Sequence, residues 1–200
     1  TQDYCKLLKK KDYENLFRNK TGLFIDTYFS ATKIKWILEN VKSSKKLLSS
    51  NDLLFGTVDT FLIWKLTKGK QHLTEASNAS RTMLYNINNN KWDKEILKKL
   101  NIPQEILPEV KNSADNFGKI DKKITGVEIS ISAVLGDQQA AAFGQTCFEK
   151  GSIKSTYGTG AFVIMNTGPK KINSKNKLLT TICYRLNNKN TYALEGSIFI

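Results

Sequence analysis

The chain has 200 residues, 40% of them hydrophobic and 24% charged, with 31 Lys and Arg against 18 Asp and Glu for a net charge of +13. That apolar content is enough for a sizeable core, and the length allows one large domain or parts of two smaller ones. No apolar stretch has membrane-spanning length and no basic-then-apolar leader opens the chain, so a soluble, cytoplasmic protein with no membrane partner is expected.

The basic balance invites a nucleic-acid reading, but its distribution speaks against one. Lysines are scattered through "KKKDYENLFRNK", "KSSKKLL" and "GPKKINSKNKLL", and arginine, the better reader of bases, occurs only at Arg18, Arg81 and Arg185. No nucleic-acid partner is expected. Cys5, Cys147 and Cys183 lie far apart, with neither a CxxC pair nor a histidine cluster, so they read as free thiols rather than as a disulfide or zinc framework.

In chain order, Ser30 is placed to cap a helix through "ATKIKWILENV", where Ile34, Ile37, Leu38 and Val41 repeat on one face. "DLLFGTVDTFLIWKLT" carries a second apolar period that stops at Gly69. His72, the only histidine, sits in polar "GKQHLTEA" and reads as a surface residue, and Arg81 in "NASRTML" reads as tying its loop to the core, with a place near the substrate as the alternative. "KWDKEILKKLNIPQEILPEV" predicts a short amphipathic helix broken at Pro103 and again at Pro108. The pattern then changes. "VEISISAVLG" reads as a strand, "DQQAAAFGQTCF" as a helix and "IKSTYGTGAFVIMNTG" as two strands around a glycine turn. "LTTICYRL" and "TYALEGSIFI" read as a hairpin around "NNKN". Helices early and strands late, joined by a strand to Gly-Asp to helix junction, predict an α/β fold.

Two stretches carry candidate chemistry. Asp137 follows Gly136 at the junction, where it can cap the helix or face a substrate in the crevice beyond the strand ends. In "TYGTGAF" two glycines flank Thr159, so backbone N–H groups and one hydroxyl can approach phosphate oxygens, although such turns also occur without a ligand. Together they are what a phosphotransferase needs: one group to take a hydroxyl proton and one loop to hold the phosphoryl group in line with it.

These residues resemble the FGGY carbohydrate kinases. "YFSATKIKWILEN", Tyr28 to Asn40, matches the first signature of that family. "LFGTVDTFLIWKLT", "NASRTMLYNI", "GDQQAAAFGQ", "STYGTGAFVIMNTG" and "YALEGSIF" are more similar to its glycerol kinases than to its pentose kinases. The likeness runs over essentially the whole chain, and it implies an actin-like ATPase fold with ribonuclease-H-like sheets in two domains flanking an active-site cleft. Residues 1–146 would be the later part of the N-terminal, glycerol-binding domain, and residues 147–200 the opening part of the C-terminal, nucleotide-binding one.

By the same resemblance, the activity is ATP-dependent phosphorylation of glycerol to glycerol 3-phosphate with magnesium, in a homodimer or higher homo-oligomer. Asp137 matches the catalytic base and magnesium-side carboxylate. Tyr28 and Gln138 match substrate contacts, and Gly158, Thr159 and Gly160 match the turn that receives the ATP phosphates. The resemblance also implies that Asp137 does both, capping its helix through its backbone geometry while its carboxylate faces glycerol. Another polyol or pentose kinase of the family, or a non-catalytic protein keeping the fold, are the alternatives.

Departures from the family pattern are Thr27 for proline, Phe61 for tryptophan and Ala161 for cysteine, none of which removes a proposed functional group. "GKIDKKITGVEIS" lacks the glycine-and-arginine loop of effector-regulated relatives. The family's first phosphate loop, part of its glycerol clamp and its adenine-binding glycines match nothing in these residues, so the segment alone is expected to be inactive.

Overall fold

The computed structural model describes residues 1–158 and 160–199. The chain opens with helices α1 (Gln2–Lys10), α2 (Glu14–Thr21), α3 (Ser30–Asn40), α4 (Lys42–Ser49) and α5 (Val58–Leu66). Short elements follow: β1 (Leu73–Glu75), α6 (Ala76–Ser80), β2 (Tyr85–Asn86), β3 (Lys91–Trp92), α7 (Lys94–Leu100) and β4 (Glu109–Lys111). After them come β5 (Lys119–Ile120), α8 (Lys122–Thr125), β6 (Ile129–Ser130) and α9 (Asp137–Gly144). The last quarter is four longer strands, β7 (Ile153–Tyr157), β8 (Gly160–Gly168), β9 (Leu179–Leu186) and β10 (Lys189–Phe199).

The helix over Ser30–Asn40 forms, but Phe29 is its N-cap and Ser30 is its first helical residue, with no side-chain cap hydrogen bond. Asp93 caps α7 by accepting from the Glu95 and Ile96 amides, and left-handed Asn101 ends that helix ahead of Pro103. The larger departure concerns "VEISISAVLG". Strand pairing there is limited to Ile129–Ser130 against β5, with an isolated bridge between Ala133 and Ala114, and the approach to Gly136 is irregular. Backbone hydrogen bonds still tie Ile131, Ser132 and Val134 to the 113–118 segment, but not as a regular ladder. His72 is half-buried rather than a surface residue, its Nε2 lying 2.7 Å from the Phe55 carbonyl.

The four late strands form one antiparallel sheet in the order β7-β8-β10-β9. Asn187 and Asn188, with φ of 50° and 61°, join β9 to β10 as a two-residue turn, the left-handed pair that matches strand twist. One apolar cluster gathers α1, α2, α3 and α7 around Phe17, Leu23, Ile25 and Leu84. A second packs Ala76 and Ala79 of α6 against Ile182 and Tyr192, and a third packs Ala142 of α9 against Ile164, Cys183 and Ala193. The sheet therefore rests on both α6 and α9.

Buried polar contacts fix that docking. Glu75, fully buried, accepts from the amide and hydroxyl of Ser77 and, on its other oxygen, from the Ser113 hydroxyl. The Ser113 hydroxyl in turn accepts from the Arg185 amide in β9 at 2.9 Å. The Arg185 guanidinium donates to the Tyr85 hydroxyl at 2.8 Å, to Asn112 Oδ1 at 3.0 Å and to the Val110 carbonyl at 3.1 Å. Burial pushes the Tyr85 phenol up to about 12, so it stays a neutral partner to that arginine. The three cysteines are buried free thiols.

Candidate functional site

Helix α9 begins where the irregular 131–136 stretch meets α6. The Gly136 amide donates to the Ser77 hydroxyl at 3.0 Å, and Gly136 is the N-cap. A Cβ on Gly136 would lie 2.5 Å from Oε1 of Gln139, so any larger residue there must displace the end of that buried side chain. Asp137 is therefore the first helical residue, not the cap. Its side chain makes no capping hydrogen bond and is exposed, so the expectation that it caps the helix is corrected. A carboxylate in the first turn still gains from the positive end of the helix dipole.

Tyr28, Asp137 and Gln138 come together on one cavity of about 450 Å³. Ser30, Lys33, Asn78, Arg81, Phe162 and Glu195 also line it. Tyr28 is 53% exposed, its carbonyl accepts from the Lys33 ammonium at 2.9 Å, and its ring lies edge-on to Phe29. Gln138 donates through Nε2 to Asp137 Oδ2 at 3.1 Å and accepts on Oε1 from the buried Lys154 ammonium. Gly158 and Gly160 are not on this cavity: Gly158 follows the end of β7 and Gly160 opens β8, and the Gly158 amide donates to the Gly160 carbonyl. Thr159 lies outside the described residues.

Two buried charges beside the cavity were not singled out in the sequence. Glu195 of β10 is 4% exposed and accepts from Arg81 at 2.9 Å. Burial pushes its carboxyl up and the Asp137 charge adds to that, while Arg81 and Lys154 pull it back. Burial likewise holds the Lys154 ammonium below the ordinary lysine range, opposed by Asp137, Glu195 and Cys147. The Arg81 guanidinium also stands over the rings of Tyr28, at 5.7 Å, and Phe29, at 5.3 Å. Arg81 thus both ties the segment after α6 to β10 through Glu195 and stands in the wall of this cavity. The available signal was a lone acid in "YALEGSIF" and a lone lysine in "IKSTY": a charge inside a strand bound for a core needs a partner.

The residues fit a magnesium–nucleotide complex in one respect. Mg²⁺ is commonly held by one or two carboxylates plus substrate phosphates and water, and Asp137 supplies an exposed carboxylate with one oxygen engaged only by an amide. Among the described residues no cluster of His, Cys, Asp and Glu could hold a metal by itself, and no helix is long and apolar enough to cross a membrane.

The sequence model for the FGGY family of carbohydrate kinases, N-terminal domain, matches residues 1–144. The chain belongs to the FGGY family of carbohydrate kinases. It is 58% identical to the glycerol kinase of Chelativorans sp. (strain BNC1) and 56% identical to that of Petrotoga mobilis, in each case over all 200 residues and 40% of the relative's length. The chain thus spans well under half of the curated relatives it matches. Among solved structures, Plasmodium falciparum glycerol kinase with ADP superposes with a TM-score of 0.93 at 40% identity, over 99% of this chain and 40% of that one. Xylulose kinase from Lactobacillus acidophilus superposes with a TM-score of 0.81 at 20% identity, over 98% of this chain and 39% of that one, which bears on the fold alone. The FGGY chain has the actin-like ATPase fold of these kinases.

The Arg81–Glu195 pair gives a pH-dependent prediction. A carboxyl whose pKa is raised by folding binds its proton more tightly in the folded state, so stability falls as pH rises through its folded pKa. Arg81 lowers that pKa and offsets the buried charge. Removing one partner of a buried pair typically costs about 3–5 kcal/mol, and Arg81 keeps 21% exposure, so the lower end is expected. In the complete protein, Arg81→Met should lower the melting temperature, and the gap to the parent should widen from mildly acidic to mildly alkaline buffer. Thermal melts across that range check it; a constant gap would mean that Glu195 does not carry the effect.

Proposed function

We propose that the complete protein is an ATP-dependent glycerol kinase that makes glycerol 3-phosphate, with the cavity at the start of α9 as its glycerol site. One observation carries the reading: Tyr28, Asp137 and Gln138, each assigned to substrate by sequence resemblance, line the same cavity. The 55–58% identity to glycerol kinases along the full segment supports glycerol as the substrate. The ADP that accompanies Plasmodium falciparum glycerol kinase in its crystal structure supports ATP as the donor.

In this reading Asp137 accepts the proton from the attacking glycerol hydroxyl. Its exposed carboxylate, at the N-terminal end of α9, is not consumed by capping. Gln138 and Tyr28 orient the polyol, and the walls contributed by Phe162 and by the Arg81–Glu195 pair limit the water around it. The Gly158-Thr159-Gly160 turn receives the ATP phosphates, so β7 and β8 belong with the nucleotide-binding domain and the division between domains falls near residue 146. Magnesium, when bound with the nucleotide, neutralises phosphate charge, and Asp137 is the carboxylate that would face it. A cytoplasmic homo-oligomer belongs to the same proposal.

Asp137→Asn keeps size and hydrogen-bonding shape but removes the base, and general-base removal costs on the order of 100- to 10,000-fold in rate. The variant should melt with the parent and lose that much glycerol-dependent turnover; full turnover would remove Asp137 from the chemistry.

The turn offers an independent test. A Cβ on Gly160 would lie 3.1 Å from the Ile198 carbonyl, so substitution there also strains the sheet, whereas a Cβ on Gly158 meets nothing within 4 Å. Gly158→Val should therefore raise the KM for ATP without lowering the melting temperature. An unchanged KM for ATP would separate the turn from the nucleotide.

A further inference from the structure

We infer that Lys154 is a positioning residue that fixes the polarity of Gln138, so that Gln138 offers an N–H donor, not a carbonyl acceptor, to Asp137 and to the substrate oxygen beside it. The inference rests on the reading of Asp137 and Gln138 as the glycerol-facing pair. An ammonium has three donors and no acceptor, so the group that meets it must be the amide oxygen. Lys154 is 1% exposed and its Nζ donates to Gln138 Oε1. The amide NH₂ is thereby turned the other way, where one of its hydrogens goes to Asp137 Oδ2 at 3.1 Å. The second hydrogen remains for a substrate hydroxyl oxygen. If the amide flipped, its oxygen would oppose the Asp137 carboxylate and its NH₂ the ammonium, two repulsive contacts in place of two hydrogen bonds.

Placement adds to this. Lys154 sits on β7, four positions before Gly158, while Gln138 and Asp137 open α9, and the two elements pack together. The charges facing this corner are Asp137 on α9, Glu195 on β10, Arg81 after α6 and Lys33 on α3, so Lys154 and Arg81 stand against Asp137 and Glu195. A buried lysine is costly unless it is paired. Here its hydrogen bond goes not to a carboxylate but to a neutral amide, which a purely structural ion pair does not need. One side chain thus links the strand that leads into the proposed phosphate turn to the amide beside the proposed base.

The test is a double-mutant cycle on glycerol turnover in the complete protein. Lys154→Met, which keeps length and loses every donor, should lower kcat by on the order of 10- to 100-fold, the usual cost of a lost orienting partner. Lys154→Arg, which keeps donors, should recover part of that loss. In a Gln138→Leu background Lys154→Met should cost much less, because the route through Gln138 has gone and only the direct charge effect on Asp137 and Glu195 remains. Full kcat in Lys154→Met, or the same fold-loss in both backgrounds, overturns the inference. If Lys154→Met does not fold, Gln138→Glu decides: it keeps an acceptor for Lys154 but has no donor for Asp137, so kcat should fall at least as far as in Gln138→Leu, and full turnover would overturn the inference. Loss of activity in Asp137→Asn together with an unaffected Lys154→Met sinks this inference alone; full activity in Asp137→Asn sinks the base assignment beneath it.

Discussion

The buried carboxylate of Glu75 holds the two halves of this segment in one arrangement. A fully buried acid is tolerated only when its lone pairs are filled, and Glu75 fills them from both sides. Burial pushes its pKa up while the hydrogen bonds from Ser113, Ser77 and Asn78 pull it back. The Ser77 hydroxyl that serves Glu75 also accepts from Gly136, and the Ser113 hydroxyl that serves it also accepts from Arg185. A single residue thus ties β1 and α6 to the start of α9 on one side and to strand β9 on the other. Because Asp137 is the next residue after Gly136, the position of the proposed base is set by this network rather than by its own contacts.

A polar anchor of this kind suits a site that must present one carboxylate to solvent. The apolar clusters behind it supply bulk stability: α6 packs on Ile182 and Tyr192, and α9 packs on Ile164, Cys183 and Ala193. Apolar packing is non-directional and sets distance better than orientation. The hydrogen bonds of Ser77, Ser113 and Arg185 are directional and set the angle at which α9 leaves Gly136. Around the cavity the same division recurs. Tyr28 and Phe162 give it walls, while Arg81–Glu195 and Lys154–Gln138–Asp137 give those walls a fixed charge pattern.

Local signals in the sequence are legible where the deciding interaction is local. The helix stop ahead of Pro103 and the Asn187–Asn188 turn each specify a backbone conformation from a few adjacent residues. "VEISISAVLG" departs from its strand pattern because its pairing with the 113–120 segment is a ladder only at Ile129–Ser130 and becomes irregular backbone hydrogen bonding at Ile131, Ser132 and Val134. Asp137 does stand at a helix start, but its role as cap is not borne out, since Gly136 takes that position under the constraint of Gln139 and Ser77. The Arg81–Glu195 pair joins residues 114 positions apart, and Lys154 meets Gln138 across 16, so neither partner could be read from its own neighbourhood. Recognition of the family came from several ordered motifs, which is why it survives where the reading of single elements does not.

The central claim is that the cavity bounded by Tyr28, Asp137 and Gln138 selects a three-carbon polyol for phosphorylation. Steady-state turnover of the complete protein with ATP and a panel of glycerol, xylulose, ribulose and gluconate measures that most directly. The account predicts the highest kcat/KM for glycerol, and for that preference to collapse in Gln138→Leu. A higher kcat/KM for xylulose, ribulose or gluconate than for glycerol in the parent protein would contradict it.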